Sequence, residues 1–573
     1  MQLSDNAREI AEKRYFHENE DWEKLSRRVG KYISLQEKES TKWENIFAEE
    51  IFNMLFIPGG RILRNSGLPK QSMLNCVCLS INDSIEAIGD TIKNALIMWS
   101  YGAGIGIDFS PLREKGRPLK SKGGHSSGMM SFITAIDAVA RTIETGGQRR
   151  SGLLAMVKVD HPEIFEFIDA KKIDKKLPYV NLSVAVDENF LHAVENDMDW
   201  NLQFSGQVVR TVKAREIWDK ILESMLNYGD PGIINTHNLY RNNTFYFQRI
   251  SSTNLCGEIP LPASGACCLG SIVLPNFLYP NSKNTNWKKL ETSIRHGVRF
   301  LDNVLDVNFY PIKEVELTAK DSRRLGLGVM GLHDYLMMKE IRYGSEVSLL
   351  EVERLFRFIR NIAYQESIKI ADEKGTFPKF SKNEYCNASF IRKLPPKIRI
   401  DIKKFGIRNS CIIAAPPTGT SSLLCDVSSG IEPVFSLSYM RKDRVSERLY
   451  VHPKLKELIL SGQSEKPDWL IDTYDLTPTD HLEIQTTIQK YLDNAISKTV
   501  NCPKDMNKND LNDLLLEFLY DVKGITIYRD GSKEDQVLNN VSFDKIKKYV
   551  LDDKSTQNMS TEDTKCSTGS CEY

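Results

Sequence analysis

Long apolar runs are missing from this chain, and so is any excess of charge of one sign. No stretch approaches the roughly 20 consecutive apolar residues of a membrane-spanning helix. The first residues, Met1-Gln2-Leu3-Ser4-Asp5, lack an apolar signal core. Membrane and secreted proteins are both disfavoured. Lys plus Arg total 76 and Asp plus Glu total 76, so no net charge draws the chain to nucleic acid or to an anionic membrane. Histidine is scarce, nine in 573 residues, and no metal-ligand pattern forms around it. The eleven cysteines are odd in number and dispersed, which fits reduced thiols in a cytoplasmic enzyme better than a disulfide framework. What is ample is hydrophobic content, at 41%, enough for two to four domains or one large barrel with appendages.

Two familiar nucleotide signatures are absent as well. Arg323-Arg324-Leu325-Gly326-Leu327-Gly328-Val329-Met330-Gly331 carries several glycines without the dinucleotide spacing or the later acidic residue. It reads as a strand-to-helix segment only. In Ile412-Ile413-Ala414-Ala415-Pro416-Pro417-Thr418-Gly419-Thr420-Ser421-Ser422 an apolar strand enters a turn whose amides and hydroxyls can surround an anion. No Lys follows as in a P-loop, so ATP hydrolysis is disfavoured.

The chemistry-bearing stretch is Asn254-Leu255-Cys256-Gly257-Glu258, followed by Cys267-Cys268-Leu269-Gly270-Ser271. If it is strand-like, Asn254, Cys256 and Glu258 project together, since alternate residues of an extended chain share a face. A lone cysteine is ordinarily a small buried hydrophobe. An amide, a thiol and a carboxylate on one side have little use as packing and suit one small substrate. Gly257 and Pro260 suit a tight loop approached by a ligand. The chain ends Lys565-Cys566-Ser567-Thr568-Gly569-Ser570-Cys571-Glu572-Tyr573, beyond a polar stretch whose composition argues disorder.

This segment closely resembles the finger loop of ribonucleotide reductases, and the other motifs follow in that family's order. The resemblance implies an α/β fold: a ten-stranded α/β barrel of two antiparallel-oriented parallel half-sheets around a central finger loop. An N-terminal helical region (1–57) precedes the barrel (58–550), and a flexible redox tail (551–573) follows it. It implies that Cys256 becomes a thiyl radical and takes the 3′ hydrogen of the ribose, that Glu258 accepts the 3′ hydroxyl proton, and that Asn254 bonds the sugar hydroxyls. Cys76, in Met73-Leu74-Asn75-Cys76-Val77-Cys78-Leu79, and Cys267 align with the redox pair that becomes a disulfide as the 2′ hydroxyl leaves as water. Cys78 shares a face with Cys76 and remains a rival, as does Cys268 beside Cys267. Cys566 and Cys571 align with a tail pair that re-reduces this disulfide by thiol exchange with thioredoxin or glutaredoxin. Some sixteen residues from Val550 give that tail a reach of roughly 20 Å, with a limit of about 50 Å.

By the same resemblance, Thr418, Gly419, Thr420 and Ser421 hold the substrate's phosphates, and Asn181 and Ser183 line its pocket. Asp83, Arg113 and Lys120 align with residues that hold a dNTP effector, and the charged loop 171–178 aligns with one that relays effector identity. The helices expected at 85–100 and 129–145 align with a homodimer interface. Before the barrel there is no room for the ATP-binding module of many relatives, so that regulation is expected to be absent. Where reductases with a separate radical-generating subunit have adjacent tyrosines, this chain has Ile527 and Tyr528, and the wording there resembles the adenosylcobalamin-dependent class. No Asp-x-His-x-x-Gly pattern supplies a histidine to cobalt. The alternatives are a large subunit needing a metal-containing partner and a catalytically inactive nucleotide-binding paralogue. Substrates are expected to be ribonucleotides, diphosphates first.

Overall fold

The computed structural model describes residues 3–119, 123–145, 149–172, 177–442, 447–463, 465–532, 539–540, 546–548 and 550. The chain begins with three helices, α1 (Asp5–Arg14), α2 (Trp22–Ile33) and α3 (Ser40–Phe52). Asp21 caps α2 by accepting from the Lys24 amide, and Trp22, Leu25, Val29 and Ile33 recur at helical spacing on its buried face. The boundary expected after residue 57 falls inside a strand. β1 (Phe56–Pro58) is buried and pairs antiparallel with residues 270–272, which joins the helical region to that strand. Helix α4 (Gly60–Asn65) follows.

Five strands then lie parallel in sequence order: β2 (Cys76–Leu79), β3 (Gly104–Asp108), β4 (Leu153–Lys158), β5 (Val180–Val186) and β6 (Gly232–Asn235). Helices α5 (Ile85–Ser100) and α6 (Met129–Ala140) sit in the crossovers and pack on each other. Ser84 caps α5, accepting from the Ala87 amide. Helix α6 stops at Ala140, five residues short of expectation: the Thr142 and Ile143 amides turn back tightly to Val139 and Ala140, and Glu144–Thr145 pairs as a short strand with Arg149–Arg150.

A short hairpin, β7 (Ser252–Thr253) and β8 (Pro260–Leu261), leads to β9 (Ala266–Cys267) and β10 (Leu269–Val273). β9 pairs antiparallel with β2, whereas β10 runs parallel to β11 (Gly326–Met330). Leu327 bridges in parallel to Ile413, and Ala415 to Ile496. β12 (Thr499–Cys502) lies parallel to β13 (Gly524–Arg529), which pairs antiparallel with β6. The result is a mixed α/β fold around an eight-stranded sheet in the order β9-β2-β3-β4-β5-β6-β13-β12. Between 274 and 400 long helices dominate, notably Trp287–Val307 and Glu346–Lys374.

Each strand divides its side chains between two cores, as parallel strands covered on both faces must. Val77, Ile105, Ile107, Leu153, Val157, Leu182, Val184, Ile233 and Ile527 face the helices. Cys76, Cys78, Leu154, Met156, Ala185, Ile234, Cys267, Leu269 and Ala414 gather in a separate inner cluster with Leu255, Ile259 and Leu261 of the hairpin. Among the described residues no helix is long and apolar enough to cross a membrane.

Candidate active site

The hairpin β7–β8 carries its tip through the inner cluster, and glycines make the passage possible. A Cβ on Gly106 of β3 would lie 1.9 Å from the Thr253 carbonyl oxygen, and one on Gly104 would lie 2.9 Å from the Leu255 side chain. Only a residue without a side chain lets the hairpin lean on β3 this closely. The tip is a turn, the tight loop that Gly257 and Pro260 suit, and not an extended strand. The Asn254 amide N–H donates to the Ile259 carbonyl at 3.0 Å, and the Ile259 N–H donates to Asn254 Oδ1 at 2.9 Å. Gly257, at φ 86°, takes the left-handed conformation that reverses the chain. From the other side, the Ala495 N–H donates to the Glu258 carbonyl at 2.8 Å. Asn254 and Glu258 are thereby buried, while Cys256 at the apex is part-exposed.

Glu258 lies deep in low-dielectric surroundings, and its Oε2 has no hydrogen-bond partner among the described residues. Burial pushes its carboxyl up to about 8, helped by the nearby Cys76 thiol and opposed by the Asn254 amide. Cys76 and Cys267 face each other directly in the antiparallel β2–β9 pair. Opposed residues in such a pair have Cα atoms about 4.5–5.5 Å apart, within the span a disulfide accepts. Burial and a hydrogen bond with Cys76 both hold the Cys267 thiol in its protonated form.

The rival thiols lie elsewhere. Cys78 is two residues along β2, opposite Gly106 and not opposite a cysteine. Cys268 turns outward, its Sγ 3.5 Å from the Leu301 carbonyl oxygen in the outer core. Burial pushes both thiols up.

Two further groups were expected to meet the substrate. Asn181 and Ser183 share a strand face with Ala185, a member of the inner cluster. The Pro416–Ser422 turn leads into a single helical turn, Gly419–Leu424. The Thr418 N–H donates to Ser429 Oγ at 3.1 Å, the Gly430 N–H donates to Thr418 Oγ1 at 2.9 Å, and the Ser421 N–H donates to the Thr418 carbonyl at 2.8 Å. Thr418, Gly419 and Thr420 remain part-exposed while Ser421 is buried.

Residues 74–528 match the family model of the ribonucleotide reductase barrel domain. The chain belongs to the ribonucleotide reductase family. It is 33% identical over 531 residues to the vitamin B12-dependent ribonucleoside-diphosphate reductase of Mycobacterium tuberculosis (strain CDC 1551 / Oshkosh), covering 88% of this chain and 74% of that one. The protein of the same name from Thermoplasma acidophilum is 32% identical over 568 residues, 92% of this chain and 72% of that one. The ribonucleoside-diphosphate reductase large chain of Encephalitozoon cuniculi is 27% identical, covering 71% of this chain and 59% of its own.

At the expected effector site of this reductase, Asp83 and Arg113 meet each other: Arg113 Nε donates to Asp83 Oδ2 at 2.7 Å, and its amide donates to Oδ1 at 3.2 Å. Lys120, Cys566 and Cys571 lie outside the described residues, as do 173–176 of the loop before β5. Sequence reasoning missed the buried group behind the phosphate-type turn. Lys498 Nζ donates to Glu432 Oε2 at 2.6 Å and to His481 Nδ1 at 2.8 Å, and the Thr499 N–H donates to Glu432 Oε1 at 2.7 Å. Glu432 thus anchors the loop that holds Thr418. Ser428-Ser429-Gly430-Ile431-Glu432-Pro433 follows the turn closely in sequence, but nothing local marks Lys498 as its partner. Ile527 faces the outer core, and Tyr528 is on the opposite strand face, level with Asn501.

Proposed function

We propose that this reductase converts ribonucleotides, diphosphates first, to 2′-deoxyribonucleotides by thiyl-radical chemistry at Cys256, with adenosylcobalamin as radical source. The observation that carries the reading is the juxtaposition in one cluster of a part-exposed thiol, a buried carboxyl and two directly opposed thiols. The names of the Mycobacterium and Thermoplasma relatives support both the cofactor and the diphosphate. The fold is read as a closed ten-stranded barrel. Two parallel runs, β2 to β6 and β10 to β13 through residues 412–415, joined by antiparallel pairings at β9/β2 and β6/β13, support it.

The residues present fit a corrinoid. Cys256 is the group it must reach, and that thiol is part-exposed at the apex. No adjacent tyrosine pair stands at 527–528. When bound, adenosylcobalamin supplies an organic radical that converts the Cys256 thiol to a thiyl.

The remaining steps belong to the chain. Cys256 removes the 3′ hydrogen atom. Glu258 takes the 3′ hydroxyl proton, for which a carboxyl raised by burial is a well-matched acceptor. Asn254 orients the sugar hydroxyls, and Asn181 and Ser183 line the pocket. Cys76 and Cys267 give up two electrons and their protons as the S–S bond forms and water leaves C2′. Cys256 then returns the hydrogen to C3′. Thr418, Gly419, Thr420 and Ser421 hold the phosphates. Cys566 and Cys571 reduce the disulfide and are themselves re-reduced by thioredoxin or glutaredoxin. A dNTP bound by Asp83, Arg113 and Lys120 tunes substrate choice in a homodimer built on α5 and α6; binding opens the Asp83–Arg113 pair.

The test is anaerobic reduction of CDP and CTP by the purified protein with dithiothreitol and a dNTP panel, with and without adenosylcobalamin. Turnover only with the cofactor, and on CDP, is expected. Turnover without it, or none from a folded, nucleotide-binding sample, overturns the cofactor assignment and points to a radical-generating partner. The double variant Cys566→Ser/Cys571→Ser is expected to keep activity with dithiothreitol and lose it with thioredoxin. Equal loss with both reductants excludes the shuttle.

A further inference from the structure

We propose that Tyr15, at the end of the N-terminal helix α1, is a positioning residue for the substrate's phosphates, acting through Thr420. The proposal rests on the reading of the Pro416–Ser422 turn as the phosphate site. Tyr15 Oη and Thr420 Oγ1 are 2.6 Å apart, a short hydroxyl–hydroxyl hydrogen bond. The tyrosine is 3% exposed and ends α1, its amide N–H donating to the Ala11 carbonyl at 2.8 Å.

The contact is built from several sides. Ala7 and Ala11, both fully buried, give α1 a flat face, and α1 packs along the Gly419–Leu424 turn of helix. At the other end of that turn, Asn6 Nδ2 reaches Asp426 Oδ1 at 3.5 Å, and Ser4 bonds the same carboxyl. The Tyr15 ring lies on the backbone of Gly60, where a Cβ would sit 3.1 Å from Cε1 and 3.2 Å from Oη. The ring is therefore wedged between Gly60 and Thr420. Its hydroxyl is aimed by the fold.

The chemistry follows from counting protons. Either hydroxyl of the pair can donate, whereas phosphate oxygens only accept. An anion in the turn selects the arrangement in which Thr420 donates outward and Tyr15 donates to Thr420. A hydrogen bond received by Thr420 polarises the one it gives, strengthening its hold on the anion. Thr420 alone has no such bias and must order its rotamer when ligand arrives. Residues 1–57, expected as a helical region preceding the barrel, thus touch the turn read as the phosphate site.

The experiment compares Tyr15→Phe, Thr420→Val and the double variant by calorimetric titration with CDP, a dNTP effector and, where turnover is measurable, steady-state kinetics. Tyr15→Phe keeps the ring and its packing. We expect it to weaken CDP binding five- to twentyfold, to place the kinetic loss on KM rather than kcat, and to leave effector affinity unchanged. In the Thr420→Val background the Tyr15→Phe effect should vanish. Unchanged CDP affinity, an equal effect with Thr420 absent, or a parallel loss of effector binding overturns the proposal. Wild-type protein that binds effector but no CDP overturns the phosphate-site reading together with it. Wild-type binding that Tyr15→Phe leaves untouched overturns the tyrosine's role alone.

Discussion

The two halves of this molecule are held together in different ways. From β2 to β6 the strands meet their helices through hydrocarbon, and among the described residues of that half the fully buried charged or imidazole groups are Asp137, His161 and Glu163. From 290 onward the interior holds Arg299, Asp302, Arg323, Arg324, Asp334, Glu366, Asp493, Lys498 and Lys523. Their function is visible where strand pairing thins to isolated bridges. Asp493 accepts from the Ile412 amide at 2.7 Å and the Ile413 amide at 2.8 Å, and Asn494 Nδ2 donates to the carbonyls of Leu325 and Ile413. Side chains take over the ladder that backbone supplies in the first half. The next residue, Ala495, donates to Glu258, so this polar scaffold also fixes the base of the reactive hairpin. Buried polar groups tolerate fewer arrangements than hydrocarbon, because each lost partner leaves an uncompensated group.

The largest effect expected is one that spares both halves. Cys256→Ser should leave no detectable turnover while melting temperature and effector binding stay as in the wild type. A large drop in melting temperature would mean that the apex thiol is part of the packing.

Next in size is Asp302→Asn. Burial raises this carboxyl, but Arg323, with Arg408, more than offsets it and holds it below the usual carboxylate range. Arg323 Nε donates to Asp302 Oδ1 at 2.8 Å, and Arg408 Nε to Oδ2 at 3.1 Å. Removing the charge leaves Asp306 as the carboxylate that Arg323 and Arg408 share, and denaturant unfolding should show a loss of about 3 kcal/mol, the low end for a broken buried pair. Because the folded state lowers this pKa, its contribution is present above the ordinary carboxylate pKa and disappears as pH falls through the folded value. The gap between variant and wild type should therefore close in acid. A gap that is flat with pH would show that the network is not ionic.

Glu258 carries the opposite sign. Its carboxyl is raised to about 8, so the folded protein keeps a proton that the unfolded chain releases above the ordinary carboxylate range. Stability from this residue falls as pH rises from there to about 8 and is then constant. Glu258→Gln should become progressively more stable than wild type over that window. In the wild type kcat/KM should rise about tenfold per pH unit below about 8, since the free enzyme must present a carboxylate. A rate that is flat from pH 6 to 9 would remove Glu258 as the proton acceptor.

The smallest effect belongs to the hydrocarbon half. Ile233→Val, outward-facing on β6, should cost about 1 kcal/mol and show no pH dependence. A pH-dependent loss there would erase the contrast between the halves.

Legibility in the sequence followed the same division. The strands at 76–79 and 153–158 are apolar runs, and the 254–258 and 416–422 motifs announced their chemistry through residue types that make poor packing. The residues 412–415 also look like a strand, but their pairing depends on Asp493 and Asn494, which carry no local signal. The tight loop was legible through Gly257 and Pro260, but alternation could not tell that Asn254 and Glu258 end buried while Cys256 stays part-exposed at the apex. The end of α6 was overrun for a like reason, since apolar spacing continues through Ile143 after the helical hydrogen bonds stop.

By itself the sequence determined what kinds of group this protein has and their local order: an amide, a thiol and a carboxylate within five residues, and a hydroxyl-rich turn after an apolar strand. Such facts are local, set by composition and by backbone preferences over a few residues. Only the tertiary structure decided which thiol faces Cys76, that Glu258 sits where a carboxyl holds its proton, and that Tyr15 meets Thr420. Those depend on strand register and on burial, which arise only when distant segments exclude water from one another.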